Sequence, residues 1–264
     1  MISYYKGKFL THNKILINEN LFRGLGVFET IKFINQKMIF FNEHMDRLFS
    51  NNRFFNFNNI NKNDIYKTAI KIINQNNLRE GLLKIIVLPI DDDFNNVEYY
   101  IFIRSLPKIN TDVVKIKFYS ESNYPILRFK PAYKALSYMG NILAIKDAHA
   151  SGAFEPIFYN KNKIITEGAI RNIFFITNGM ICTPNLELGI LDGVTRAKVL
   201  ELAKKLNCKV SESSINYSDI HNMDEAFLTS TAVGVIPCYW DNWTSDYSIT
   251  LNLKKHYNQI IKMQ

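Results

Sequence analysis

Three stretches of the chain concentrate side chains able to do chemistry. The first runs Arg23-Gly-Leu-Gly-Val-Phe-Glu-Thr30 and is followed by Glu43-His-Met-Asp-Arg-Leu48. The second is Lys134-Ala-Leu-Ser-Tyr138 with Thr166-Glu-Gly-Ala-Ile-Arg-Asn-Ile-Phe174. The third is Gly189-Ile-Leu-Asp-Gly-Val-Thr-Arg196 with Asp224-Glu-Ala-Phe-Leu-Thr-Ser-Thr231. A lysine amine such as that of Lys134 can form a Schiff base with a carbonyl group. Arg47 offers a fork of donors suited to a phosphate. Gly193-Val194-Thr195 opens a helix, where free N–H groups and the helix dipole make an anion site, and Ser230 and Thr231 add hydroxyl and amide donors. Each has a plainer reading when taken alone: a surface lysine, a solvated arginine, a glycine turn with a capping threonine.

Elements of both periodicities are needed to hold these residues. Phe28 to Ile34 and Met38 to Phe41 read as two strands around Asn35-Gln36. Asn42 is placed to cap a helix in which Met45, Leu48, Phe49 and Phe55 share a face, and a second helix around Ile65, Ile70 and Ile73 follows Asn63. Leu83 to Leu88, Tyr99 to Ile103 and Val114 to Phe118 read as buried strands. The stretch from Ser120 to Pro131 holds two prolines and little periodicity. It divides the chain into a small N-terminal domain over 1–119, a linker over 120–131 and a larger C-terminal domain over 132–264. In the second domain, Ile157 to Tyr159 with Lys163 to Thr166 form one hairpin, and Ile173 to Thr177 with Met180 to Thr183 another across Asn178-Gly179, a strong turn signal. Thr195 to Leu206 is amphipathic, strands follow around Val210 and Phe227, and a helix covers Asn252 to Ile261. Lys146 falls on the outer face of a helix that Ala144 and Ala148 pack.

The composition excludes several classes. At 264 residues, 47% hydrophobic and 21% charged, the chain has the make-up of a globular protein with a core of its own. Its net charge of +8 comes from lysines spread along the chain, among them Lys71, Lys161, Lys163, Lys204 and Lys205, and not from a patch of the kind nucleic acid requires. Cys182, Cys208 and Cys238 are odd in number and widely spaced, which argues against a disulfide framework or a metal site. Met1 is followed by Ile-Ser-Tyr-Tyr-Lys with no apolar run and small-residue cleavage site, and no apolar stretch approaches membrane length. A cytoplasmic protein without membrane or nucleic-acid partner is expected.

In this order and spacing, over roughly residues 3 to 237, the three segments resemble the class IV aminotransferase family of fold-type IV pyridoxal phosphate enzymes. Branched-chain and D-amino-acid aminotransferases belong there, as does 4-amino-4-deoxychorismate lyase. The resemblance implies a two-domain α+β fold, a smaller N-terminal α/β domain and a larger C-terminal α/β domain that carries the lysine, with pyridoxal 5′-phosphate between them. It implies that Lys134, 33 residues before Glu167, carries the cofactor as a Schiff base and is the catalytic base. Glu167 is similar to the carboxylate at the pyridine nitrogen, where a nearby cation keeps it ionised. Arg47, Gly193, Val194, Thr195, Ser230 and Thr231 match the phosphate cradle, Leu191 the apolar residue against the ring, and Tyr138 a tyrosine aimed at the ring hydroxyl. Phe28, Thr231 and Ala232 match the substrate pocket. A small amine or amino-acid substrate and a homodimer are implied too.

The same residues serve two reactions: transfer of an amino group, or elimination of pyruvate from aminodeoxychorismate to leave p-aminobenzoate for folate biosynthesis. In place of the Arg-Gly and nearby His of the D-amino-acid enzymes this chain reads Val87-Leu-Pro-Ile-Asp-Asp-Asp93, and an acidic loop there repels a substrate carboxylate. The Gly-Leu-Gly-Val-Phe-Glu-Thr and Gly-Ile-Leu-Asp-Gly-Val-Thr-Arg wording looks closest to the lyase, whereas Thr231-Ala232 resembles the carboxylate-binding amides of the branched-chain enzymes. Loss of chemistry on the same fold, leaving a binding protein, is a third and more remote reading.

Overall fold

The computed structural model describes residues 3–5, 7–10, 19–50, 56–90 and 94–264. It divides into two compact units: Met1–Pro107 with Tyr133–Ser137 and Gln264, and Lys108–Ala132 with Tyr138–Met263.

The first unit is built on an antiparallel six-stranded sheet. Its strands are β1 (Ser3–Tyr5), β2 (Lys8–Leu10), β3 (Val27–Ile34), β4 (Lys37–Met38), β5 (Glu80–Pro89) and β6 (Val97–Arg104), in the order β2-β1-β6-β5-β3-β4. The β3–β4 connection turns at Asn35 and Gln36, both at positive φ, as a two-residue hairpin requires. Strand alternation sorts the residues of β3 and β5: Val27, Ile31, Phe33, Leu83, Ile85 and Val87 form a core with Met45 and Leu48 of helix α2 (Phe41–Phe49) and with Ile65, Ala69, Ile72 and Ile73 of α3 (Lys62–Asn76). Phe28, Thr30, Leu82, Lys84 and Ile86 therefore point to the opposite face. Two expected caps differ. Helix α2 starts from Phe40 at φ 54° with no side-chain cap, so Asn42 lies inside the helix, and α3 is capped by Asn61, whose side chain accepts from Asp64 N, not by Asn63. Both shifts fall within the ordinary uncertainty of helix ends. Phe55 and the acidic residues Asp91 to Asp93 lie outside the described residues. The short helix α1 (Glu19–Phe22) precedes β3.

The second unit holds an eight-stranded mixed sheet in the order β12-β11-β10-β13-β14-β7-β8-β9. The strands are β7 (Val114–Ser120), β8 (Glu155–Tyr159), β9 (Ile165–Gly168), β10 (Asn172–Thr177), β11 (Met180–Pro184), β12 (Val210–Ser213), β13 (Glu225–Ser230) and β14 (Gly234–Tyr239). Three helices accompany it: α4 (Met139–Ala150), α5 (Val194–Lys205) and α6 (Ser248–Met263). Asn178 and Gly179 make the β10–β11 turn, both at positive φ. Strand β7 runs parallel to β14 and to β8. It thus belongs to the larger sheet and not, as a domain boundary at 119 predicts, to the smaller unit; a buried apolar strand carries no local mark of which sheet it joins. Strand β14 carries little sequence signal of a strand, its apolar run being interrupted by Pro237. Ala144 and Ala148 are fully buried on α4 while Lys146 is exposed, as are Lys71, Lys161, Lys163, Lys204 and Lys205.

Candidate active site

The residues singled out from the sequence divide between the two units. In the first unit, the segment 133–137 lies beside the start of β3. Phe28 N donates to Lys134 O at 2.9 Å, Leu136 N donates to Gly26 O at 3.0 Å, and Val27 and Ala135 form a bridge. This pins the backbone of Lys134 and carries its side chain over Phe28, with Nζ 4.5 Å from the ring centroid. Phe28 is buried on the sheet face turned away from α2 and α3. A second amine shares that ring: Lys84 Nζ of β5 lies 4.2 Å from the centroid.

Arg47 sits on the other face of the same sheet, reached from α2. There the alternation of β3 places Glu29 among apolar residues, with 1% of its side chain exposed. Arg47 closes on it with both edges of a fork, Nε to Oε1 at 2.7 Å and Nη2 to Oε2 at 2.8 Å. His44 Nδ1 lies 2.8 Å from Oε2, and because a carboxylate only accepts, that nitrogen carries the proton. Burial alone raises the Glu29 carboxyl, but the Arg47 charge and the hydrogen bonds from His44 and Arg47 outweigh it and bring the pKa down to about 2. Burial also pushes His44 below the ordinary imidazole range, against the pull of Glu29. Glu29 thus fixes the orientation of Arg47. The sequence held a signal for it, a charged residue between Val27 and Ile31 on the inward face of a strand, facing His44 and Arg47 three residues apart on a helix.

In the second unit Glu167 of β9 collects donors. Arg128 Nη1 reaches Oε1 at 2.5 Å, Asn172 Nδ2 reaches Oε2 at 3.2 Å, and Leu191 N lies 3.2 Å from both oxygens. Arg128 is held in turn by Glu121, from Nε at 2.9 Å and Nη2 at 2.7 Å, and Thr166 Oγ1 donates to the same Glu121 oxygen at 2.7 Å. The arginine is thereby clamped between two carboxylates, and donors reach both oxygens of Glu167. Nothing local in the sequence marks Arg128, which lies 39 residues before Glu167.

Asn172 links this carboxylate to the start of α5. Its Nδ2 also donates to Leu191 O at 2.9 Å, and its Oδ1 occupies the place that a Cβ on residue 193 would take, so that only glycine fits there. Gly193 is the N-cap of α5 and gives no side-chain cap; the first amides of a 12-residue helix are left to an outside acceptor. Val194 and Thr195 are buried. Tyr257 Oη lies 3.4 Å from Thr195 Oγ1 and packs near Gly234, the register partner of Ser230. The Ser230 and Thr229 hydroxyls are buried without a hydrogen-bond partner among the described residues, a cost that a bound acceptor removes. Thr231 and Ala232 are half-buried in the turn after β13, and Leu191 is half-buried beside Glu167. Tyr138, also half-buried, precedes α4 and makes no cap bond with its side chain.

A family model for class IV amino-transferases matches residues 26–239. The chain belongs to the class IV aminotransferase family. A putative branched-chain-amino-acid aminotransferase of Methanocaldococcus jannaschii is 27% identical over 89% of this chain and 86% of its own length. A D-alanine aminotransferase of Listeria monocytogenes is 28% identical over 81% of this chain and 77% of its own. The crystal structure of a putative 4-amino-4-deoxychorismate lyase from Legionella pneumophila superposes with a TM-score of 0.85 at 26% identity, covering 95% of this chain and 96% of that one. The class IV chain is therefore an α+β fold-type IV enzyme, and pyridoxal 5′-phosphate is its cofactor. Its residues fit that group: an amine held over an aromatic ring, an uncapped helix start and buried hydroxyls, without partner among the described residues, for a phosphate, and a carboxylate surrounded by donors. Among the described residues no helix is long and apolar enough to cross a membrane.

Proposed function

We propose that this class IV enzyme is a 4-amino-4-deoxychorismate lyase that releases pyruvate and p-aminobenzoate, for folate biosynthesis, in the cytoplasm, where three free cysteines are at home. The observation that carries the reading is the likeness to the Legionella protein over nearly the full length of both chains. Bound pyridoxal phosphate supplies an electron sink for a carbanion at the substrate carbon. The side chains supply the rest. Lys134 Nζ carries the cofactor and moves the proton at that carbon, and Phe28 gives it an apolar floor. Glu167 offers its charge to the pyridine nitrogen, with Arg128, Asn172 and the Leu191 amide holding it in place. The α5 amides at Gly193, Val194 and Thr195, with Ser230, Thr231 and the Arg47 guanidinium, bind the phosphate. Leu191 would pack against the ring, Tyr138 would meet its hydroxyl, and Thr231-Ala232 with Phe28 would line the substrate side.

An amino-acid aminotransferase is the second reading, favoured by the Methanocaldococcus and Listeria relatives. Purified holoenzyme given 4-amino-4-deoxychorismate, branched-chain L-amino acids or D-alanine, the amino acids each with 2-oxoglutarate, decides between them. The lyase reading expects p-aminobenzoate from the first substrate at a rate far above amino transfer from the others; rapid amino transfer without p-aminobenzoate contradicts it. A homodimer is part of the same proposal. Met139, Ile142 and Leu143 of α4 are exposed apolar residues, and Asn141 Nδ2 donates to Ala169 O, setting exposed Ile170 next to them; a second copy is what covers them.

A further inference from the structure

We propose that Glu155 is a positioning residue of this enzyme, the buried carboxylate that holds the turn between Glu167 and Asn172 in the shape the ring-nitrogen site needs. The inference deepens the reading of Glu167 as the carboxylate at the pyridine nitrogen and rests on it. Glu155 opens β8 and is fully buried, and Arg171 is buried with it. Charges at that depth are ordinarily paired. This pair has no part in the chemistry proposed for the site.

The partners of Glu155 lie in one turn. Strand β9 ends at Gly168 and β10 begins at Asn172, so residues 168–171 join Glu167 at one end to Asn172 at the other. Glu155 Oε1 accepts from Ile170 N at 2.7 Å and from Arg171 N at 3.1 Å, and Oε2 pairs with the Arg171 guanidinium, which lies 4.2 Å from the centre of the Phe154 ring. Gly168 N donates to Arg171 O at 2.7 Å and Ala169 N to Pro156 O at 3.3 Å. All four amides of the turn are thus placed, two of them on a single carboxylate oxygen. Gly168 lets that oxygen come so close, because a Cβ at 168 would lie 2.5 Å from it. The ends of the turn meet again at the site, where Asn172 Nδ2 donates to Glu167 Oε2 at 3.2 Å and to Leu191 O at 2.9 Å. Without Glu155 the amides of Ile170 and Arg171 lose their acceptor, and a buried donor left unpaired is costly. A turn that shifts to find another acceptor changes the separation of Glu167 from Asn172. Glu155 thus acts on Glu167 through the backbone of the turn. An ion pair that only stabilises the fold is the plain alternative, and the two differ in what they do to the cofactor's ring nitrogen.

The test is nitrogen-15 NMR of holoenzyme loaded with pyridoxal phosphate labelled at the ring nitrogen, whose resonance reports whether that nitrogen is protonated. Arg171→Met is combined with Glu155→Gln in one double variant and with Glu155→Met in another. Both lose the two charges together, and only the second loses the oxygen that accepts from the turn. Wild type and the Glu155→Gln double variant are expected to share one resonance position, at the protonated end. The Glu155→Met double variant is expected to move toward the unprotonated end, in the direction taken by Glu167→Gln. Gly168→Ala, which drives a methyl group against Glu155 Oε1 and keeps both charges, should move the same way, and it decides alone if the Glu155→Met double variant does not fold. A Glu155→Met double variant or a Gly168→Ala variant that keeps the wild-type resonance overturns the proposal and leaves Glu155 a strut of the fold. A Glu155→Gln double variant displaced as far as the Glu155→Met one overturns it too. A Glu167→Gln resonance unmoved from wild type indicts the reading of Glu167 instead.

Discussion

Glu167 is the residue whose surroundings make the sharpest demand. Four donor contacts from Arg128, Asn172 and the Leu191 amide surround its carboxylate, and all of them favour the anion. Glu167→Gln keeps the size and loses the charge, and Arg128 keeps Glu121 as a partner. The variant should therefore fold and bind cofactor within about tenfold of wild type, while turnover falls by about a hundredfold or more, the scale on which preorganised charge acts. Turnover and cofactor dissociation constants measured side by side, with circular dichroism, check this; near-normal turnover in a folded, saturated variant would return Glu167 to a structural role. Arg47 asks for a gentler change. Removing it strands the buried Glu29 carboxylate, which costs about 3–5 kcal/mol for a broken buried pair, so Arg47→Ala mixes folding with cofactor affinity and Arg47→Lys separates them better. Glu167, Lys134, Arg47 and Gly193 stand out in the sequence because their spacing is a family pattern. Arg128 does not, because its contact with Glu167 is made by folding and not by sequence neighbours. Lys84 did leave a trace, one charge in an apolar strand, but a trace of that kind names no partner.

Elements decide how these residues respond to acid and to substitution. The Glu29, His44 and Arg47 triad ties α2 to β3. Glu29 in the folded chain lies below its ordinary value of 4.5, at about 2, and His44 lies below 6.5. Both groups therefore take up protons more readily when unfolded, so their contribution is whole above about pH 6.5 and is lost as pH falls. His44 erodes it first, and Glu29 follows between about 4.5 and 2. Urea unfolding of wild type and Glu29→Gln at pH 7 and pH 3 should show the variant much less stable at pH 7 and the gap narrowed at pH 3; a gap independent of pH contradicts the triad. At the start of α5, Gly193→Ala drives a methyl group into Asn172 Oδ1. Overpacking of this kind costs about 1–3 kcal/mol, and here it displaces the amide that joins Leu191 to Glu167. A lower melting temperature together with weaker cofactor binding is expected, whereas an unchanged cofactor affinity would clear α5 of a phosphate role. The elements themselves were readable where periodicity is strong, as in β5, β10 and α5. Strand β7 was readable as a strand and unreadable in its partners, since parallel pairing with β8 and β14 spans long stretches of chain.

At the scale of the whole molecule, the chain division is more interleaved than a single linker implies, because Tyr133–Ser137 joins the first unit after the chain has already entered the second. Lys134 thus stands on the small unit, pinned to β3, while its 33-residue partner in spacing, Glu167, stands on the large one. If a second copy covers the apolar face of α4, sedimentation should give about twice the chain mass of 30.7 kDa, and Ile142→Glu should shift it toward the monomer; a wild-type monomer at micromolar concentration contradicts the dimer. The central claim is narrower: the cofactor is carried by Lys134. Its nearest rival is Lys84, an amine over the same ring with a pKa of about 8. Reduction of the holoenzyme with borohydride, proteolysis and peptide mapping test the claim most directly. The pyridoxyl group is predicted on the peptide containing Lys134 and on no other, and a label on Lys84 or Lys146 contradicts the account.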